Sequence, residues 1–268
     1  MAYTRPSSLT LESVPLPHAW VHIEDYDRDI SLGGRHGVVA QLDELLGRLT
    51  GAVTSKDPGA PLSGRLCEAY RELAGAEGAA ITVRYGSPSR VTLWTTDEVA
   101  NRLEDLQDVL GEGPGHSASA SGQIEICLVP APTSSRWSMF VDAAQDLVQN
   151  AVIHAVPMHP DRQVFGVITL YQSSTRSEPL RLGRHELQFL ANVVGAALVG
   201  DVPDTDVHEG PWAARASIHQ ATGMVVVQMG VSPDDALALL RAHAYGQQTT
   251  LAEIAQAVIE RRISFTPQ

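Results

Sequence analysis

From Arg35 to Thr50 the apolar residues Val38, Leu42, Leu45, Leu46 and Leu49 recur at spacings of three and four, which predicts a one-faced amphipathic helix. A second helix is predicted from Pro61 to about Ala74, after a short Gly/Pro loop at 55–60. "AAITVRYGSPSRVTLWTT" then reads as two β-rich runs around a Gly-Ser-Pro-Ser turn, a hairpin. A polar helix over 97–109 leads into "GEGPGHSASA", which is predicted to be a loop. "GQIEICLVP" alternates as a strand does, "RWSMFVDAAQDLVQN" is predicted helical, and "AVIHAVPMHPDRQVFGVITLYQ" gives a second hairpin. Residues 183–200 form a further helix, with Leu187, Leu190, Ala191, Val194 and Leu198 on one stripe. Adjacent hairpins among helices predict an antiparallel sheet in an α+β domain.

The tail is punctuated as helices only. Pro211 suits the first turn of a helix running to Met229, with Gly230 as its stop. Ser232-Pro233-Asp234-Asp235 opens a second helix, and Thr250-Leu-Ala-Glu253 is a capping box for a third that ends near Arg261 and Arg262. The stripes Ile218/Ala221/Val225/Met229, Ala236/Leu239/Leu240/Ala244 and Leu251/Ile254/Ala255/Val258 can close on one another. Residues 1–34 are Pro-rich and irregular, and 201–210, with four acids and no base, reads as an acidic linker. The organisation expected is therefore 1–34 irregular, 35–200 α+β, 201–210 linker and 211–268 a three-helix unit.

Charge sharpens this division. The 268 residues carry a formal net charge of −12, yet 211–268 holds four Arg against four acids. The acidic body would repel polyanions, so nucleic acid could bind only locally. Lys56 is the only lysine, which leaves phosphate contacts to arginine, histidine or backbone. No run of eighteen apolar residues is present, and the N-terminus lacks the basic start and apolar stretch of a secretory signal. Cys67 and Cys127 fit no metal-ligand spacing. Reduced thiols, no membrane partner and a cytoplasmic location are the expectation. The chain shows no phosphate-binding Gly-x-x-x-x-Gly-Lys-Ser/Thr, no His-Glu-x-x-His and no Gly-x-Ser-x-Gly, so no enzyme and no cofactor are expected. His18 and His22, in an irregular segment, are read as surface histidines.

The tail also carries a resemblance. Arg-x-x-Ile-His-Gln-Ala-Thr-Gly-Met-Val, Gly-Val-Ser-x-x-x-Ala-Leu-x-x-Leu-Arg-Ala-His-Ala and Leu-x-x-Ile-Ala-x-x-Val-Ile-x-Arg-Arg, from about Ala213 to Phe265, resemble the ANTAR domain. That family comprises RNA-binding domains of bacterial transcription antitermination regulators. Residues 35–200 resemble a GAF domain through Gly111-Glu-Gly-Pro114, Arg136-Trp137-x-x-Phe140 and the "VFGVITLYQ" strand. The resemblance implies a GAF-like sheet with flanking helices followed by an all-α ANTAR domain. It also implies a dimer that binds paired hairpin loops in nascent RNA under control of the GAF-like region. Thr222 stands where many ANTAR domains have lysine, and Gly115-His116 follows Gly-Glu-Gly-Pro.

Candidate residues follow from both lines. Arg215, His219, Thr222 and Val226 are spaced four, three and four apart and share a helix side. With the resemblance, Arg215, His219 and Thr222 are expected to touch RNA. Gly223 either lets a nucleotide approach or permits tight helix packing. Arg241 and His243 on the second helix and Arg262 after the third complete the RNA-binding set, each with a plain alternative as a cation near a helix end. Trp94, Trp137 and Phe140 are expected to line a cleft for a small-molecule ligand, or else the region packs solid and only dimerises. Two rivals remain: a helical tail that binds protein, and a DNA-binding helix-turn-helix. The exposed Glu253 and Glu260 of the third helix count against DNA.

Overall fold

Five strands, β1 (Gly78–Arg84), β2 (Arg90–Thr95), β3 (Glu125–Val129), β4 (Ala151–Met158) and β5 (Gly166–Ser173), form one sheet in the order β2-β1-β5-β4-β3. Every neighbouring pair is antiparallel, and a bulge shifts the register between Ile81 and Thr82. The computed structural model describes residues 35–84, 90–131, 136–161, 163–173, 179–200 and 211–265, with backbone alone for 35–39 and 211–215. The expectations for 1–34, the 201–210 linker, His18, His22 and the Gly-Ser-Pro-Ser turn lie outside the described residues.

Helices cover both faces of the sheet, except that the edge strand β3 leaves Ile126 and Leu128 exposed on one side, and the sheet's alternation divides the core. Ile81, Val83, Val156, Met158, Ile168 and Leu170 face one side. There they meet Leu45 and Leu49 of α1 (Arg35–Thr54), Leu66 and Tyr70 of α2 (Leu62–Ala74), and Leu187, Leu190 and Val194 of α6 (Arg184–Gly200). Each fully buried side chain of this kind contributes about 1.5–3 kcal/mol. The Tyr70 hydroxyl donates to the Leu187 carbonyl at 2.8 Å, tying α2 to α6.

The opposite face is covered by α3 (Glu98–Leu110), α4 (Pro114–Ser121) and α5 (Ser138–Ala144). Leu103 of α3, with Phe140, Val141 and Ala144, packs on Cys127, Val129 and Ile153. Ala118 of α4 sits on Ala155 and Val167.

Helix α4 corrects the loop expected over "GEGPGHSASA". Its residues are too small to show an apolar stripe, but Pro114 stands at the start and Gly122 ends it in a left-handed turn, φ 67°. Helix α5 is shorter than expected, ending at Ala144. The Trp94/Trp137/Phe140 cleft is also corrected. Trp94 packs with the α2 side of the sheet, over Gly64, while Trp137 and Phe140 belong to the opposite face.

The tail folds as its punctuation predicts: α7 (Pro211–Met229), α8 (Pro233–Gln247) and α9 (Leu251–Ile259). Gly230, φ 67°, donates its N–H to the Val226 carbonyl at 2.8 Å and ends α7. The Ser232 hydroxyl accepts from Asp235 N, and Thr250 and Glu253 form the complete capping box. The chain turns through 106° between α7 and α8. Ala221, Val225, Ala236, Leu240, Ala244, Ile254 and Val258 close the core of this unit. The unit does not stand apart from the sheet, because α3 packs against α8 and α9, and α7 against β2. The α+β sheet followed by three helices is the architecture expected.

Candidate RNA interface and sensor face

Among its described side chains, the exposed side of α7 carries no Asp, Glu, Lys or Arg. Ala216, Gln220, Gly223, Val227 and Gly230 are exposed at spacings of four, three, four and three, while Ala221 and Val225 are buried. A Cβ built on Gly223 meets nothing within 4 Å, so this glycine does not serve tight packing between helices. Beside it lies a groove of about 540 Å³ lined by Gln220, Gly223, Met224, Val227, Gln228, Arg261, Ile263 and Ser264. Val227 is 84% exposed, a large apolar side chain left in water at the groove.

The far wall is held by the segment after α9. Phe265 N donates to Gln228 Oε1 at 2.9 Å, fastening the segment to α7. Arg261 adopts a left-handed backbone, φ 58°, which turns the chain out of α9 toward the groove. Of the groove residues, Gly223 is singled out in the sequence, whereas Gln220 and Val227 have no independent signal there and nothing points to a left-handed turn at Arg261. The apolar residues of α7 run almost round the helix, and arginine is not a residue that advertises a left-handed turn.

Of the predicted RNA-binding residues, Gly223 lines this groove and the others scatter around it. His219 is exposed on α7, one position from the groove line. Thr222 is half-buried, and its hydroxyl donates to the Ile218 carbonyl at 2.7 Å. Arg215 lies one turn before His219, with its side chain outside the described atoms. His243 of α8 packs against the Phe265 ring, centroids 4.8 Å apart and tilted by 59°. Arg262 pairs with Glu260 at 2.7 Å, and that bond, after one from Gln256, holds the Glu260 carboxyl below its usual range. Arg241 is turned away from the groove: its Nε donates to the Asp108 carbonyl of α3 at 3.0 Å.

On the side of the sheet covered by α3, α4 and α5, a buried polar group joins α3, α4 and the sheet. Arg90 of β2 pairs with Glu104, and its Nη2 also donates to Thr82 Oγ1 at 3.2 Å. Gln107 donates to Glu104 Oε1 at 3.0 Å and accepts from Gly115 N at 2.7 Å. His116 Nε2 lies 3.1 Å from the Gln107 carbonyl and 3.8 Å from Asp108 Oδ1. Burial, reinforced by Arg90 and Arg241, lowers the His116 pKa to about 3, so the ring is neutral. Burial pushes Asp108 up to about 7, against the pull of Arg90. Among the described residues, Arg90 Nε and Nη1 have no hydrogen-bond partner.

The two short motifs on this face meet in space. Glu112 accepts from Phe140 N at 2.9 Å, and Trp137 Nε1 donates to Ser117 Oγ at 2.8 Å. Gly-Glu-Gly-Pro and Arg-Trp-x-x-Phe are therefore two sides of one joint between α4 and α5.

Among the described residues, no group of three or more His, Cys, Asp or Glu could hold a metal ion. Burial raises the thiol pKa of Cys67 far above its usual value and that of Cys127 to about 11, which makes both poor nucleophiles. Among the described residues, no single helix is long and apolar enough to cross a membrane.

Comparison with known proteins places the tail first. Residues 212–259 match the family model described as "ANTAR domain", so the three C-terminal helices are an ANTAR domain. No curated protein matches the chain. Among solved structures, the chain is similar to the A. aeolicus Nlh2 GAF domain in an inactive state, at 15% identity and TM-score 0.39 over 58% of this chain and 91% of that one. It is similar to a GAF domain/HD domain protein from Geobacter sulfurreducens, at 16% identity and TM-score 0.37 over 59% and 92%. It is also similar to Escherichia coli SdiA, at 11% identity and TM-score 0.42 over 82% and 95%. At these scores none of the three says what this chain binds.

Proposed function

We propose that the protein is a cytoplasmic RNA-binding regulator of transcription antitermination, whose ANTAR domain takes unpaired bases of hairpin loops and whose GAF-like region pairs two chains. The observation that carries this reading is the groove over bare Gly223, on a helix of the ANTAR domain. A mid-helix glycine costs about 1 kcal/mol against alanine. Here no packing contact offsets that cost, so the bare backbone is explained by an approaching ligand. The floor is apolar, at Met224, Val227 and Ile263, with Gln220 and Ser264 as hydrogen-bonding groups and one guanidinium, Arg261, at the side. Hairpin-loop recognition uses such parts: an apolar seat, polar edges and a planar cation.

His219, Thr222 and Arg215 extend the contact along α7, and His243 and Arg262 border the same end of the domain. A unit with four arginines and four acids gains little from bulk charge, so recognition rests on shape. Two tethered units would then recover about 10²- to 10⁴-fold in avidity. In this reading the GAF-like region either senses a small ligand or serves as the pairing element alone.

The test uses the full chain and a stem-loop RNA pool with randomised loops. A retained loop is then presented once, twice, and twice with altered spacing. The proposal expects the correctly spaced pair to bind tightest. Equal affinity for all three would end the paired-loop mechanism, and no retention even at low ionic strength would end RNA binding.

The 84% exposure of Val227 favours one other occupant, an apolar protein helix. Arg261→Ala separates the two: RNA binding falls with loss of the guanidinium, while an apolar protein contact hardly changes.

A further inference from the structure

The C-terminal end of α3 is built into the ANTAR domain. Val109 is buried in the apolar cluster of Ala221, Val225, Leu237 and Leu240, and belongs to neither cluster flanking the sheet. One residue earlier, the Asp108 carbonyl accepts from Arg241 Nε. Two residues later, Gly111 closes α3 in a left-handed turn, φ 66°, with the Arg241 guanidinium over it; a Cβ there would lie 3.2 Å from Nη1. Helix ends of this kind carry partial negative charge and attract cations. The same end carries the Asp105 and Asp108 carboxyls, and Glu253 of α9 is near enough to raise the Asp105 pKa, after burial, Glu104 and Glu98. Burial also lowers the pKa of Arg241, as expected for a guanidinium drawn out of water.

The chemistry of this contact is that of a polyanion. Carbonyl oxygens and carboxylates offer a guanidinium what phosphates and base carbonyls would offer it. From this geometry we propose that α3 is an internal competitor of RNA: docked, it occupies Arg241 and the α8 face, and RNA binds fully only when the ANTAR domain leaves α3. The proposal rests on the RNA-binding reading above and adds its regulation. The sensor controls RNA binding within one chain by holding or releasing α3, besides any pairing of two chains.

Val109→Asp tests it in the full-length protein. The substitution puts a carboxylate into the shared cluster, yet leaves both sheet-flanking clusters untouched. Amide hydrogen exchange should rise in 105–111 and 234–244 and stay unchanged in β4 and β5. Affinity for a stem-loop RNA retained from the randomised pool should rise about tenfold, the factor expected if nine chains in ten are docked. Val109→Ala should move both readouts the same way by less, and it decides the matter if the aspartate also loosens the sheet.

Unchanged exchange at 234–244 would show that the contact does not persist in solution and overturn the proposal. Raised exchange with equal RNA affinity would overturn the competition while leaving RNA binding intact. If neither wild type nor variant binds RNA, the RNA reading itself has failed, and the competition falls with it.

Discussion

Gly223→Ala separates the demands of folding from those of recognition. The position is the thirteenth residue of the nineteen-residue α7, exposed, with open space where the methyl would go. Folding should therefore gain the full helix-propensity difference, about 0.8–1.0 kcal/mol, with no packing cost set against it. For a chain of this length that is a rise in Tm of roughly 2–4 °C. Gly223→Leu should be nearly as stable, since leucine is also a good helix former, but its side chain fills the groove. If one loop base sits there, the leucine variant should lose about 1–3 kcal/mol of RNA binding, roughly 5- to 150-fold. Thermal unfolding followed by circular dichroism and RNA binding followed by fluorescence anisotropy report the two effects independently. An alanine variant that melts below wild type would refute the reasoning, because it would mean the face is covered in solution. A leucine variant that binds RNA as wild type does would refute the recognition half alone.

Two further expectations concern stability. Asp108 has a folded pKa of about 7 against an ordinary 3.8, so its contribution to stability is full below 3.8 and is lost as the pH rises through 7. Between pH 6 and 8 this should remove about 1 kcal/mol, at the low end because the side chain is 24% exposed, and Asp108→Asn should abolish it. His116, lowered to about 3, runs the opposite way: its contribution is present above 6.5 and is lost as pH falls through 3. The wild-type minus Asp108→Asn difference in urea-unfolding free energy is therefore the readout, and a difference that does not change with pH would contradict the burial of that carboxyl. Thr250→Ala removes the hydroxyl that accepts from Glu253 N, while the backbone bond from Thr250 N to the Glu253 carboxylate remains, and should cost about 1 kcal/mol, read from the shift in urea midpoint.

What the sequence revealed is what is decided locally. Pro211, Gly230, Ser232 and the Thr250/Glu253 box each act within one turn of helix, so the ANTAR helices could be delimited from residues close in the chain. Helix α4 is decided otherwise. Its first turn is pinned by Gln107, eight residues back, and its buried side lies on strands far along the chain. The face that Trp94 takes depends on strand register and on the bulge after Ile81, which no periodicity within β2 records. On α7 the expected contacts were Arg215, His219 and Thr222 with Gly223 beside them, and the open face runs through Gly223 with Gln220 and Val227, one position on from the expected line. Periodicity cannot pick the buried side there, because Met224, Val225, Val226 and Val227 are consecutive apolar residues. The docking of Arg241 on Asp108 spans 133 positions and had no local sign.

Helix α3 faces both halves of the molecule. On one side Glu104 and Gln107 hold Arg90 and the Gly115 amide. At its end Asp108, Val109 and Gly111 hold the ANTAR domain. A cation and a helix start meet at the first site, and a cation meets a helix end at the second. Under the competition proposed above, linkage makes the effect reciprocal. A ligand on this face of the sheet that changed RNA affinity by some factor through α3 would itself be bound more or less tightly by that same factor when RNA is present. Coupling of 1–3 kcal/mol, about 5- to 150-fold, is the usual range, and one desolvated guanidinium with one buried valine lies within what such a contact can supply.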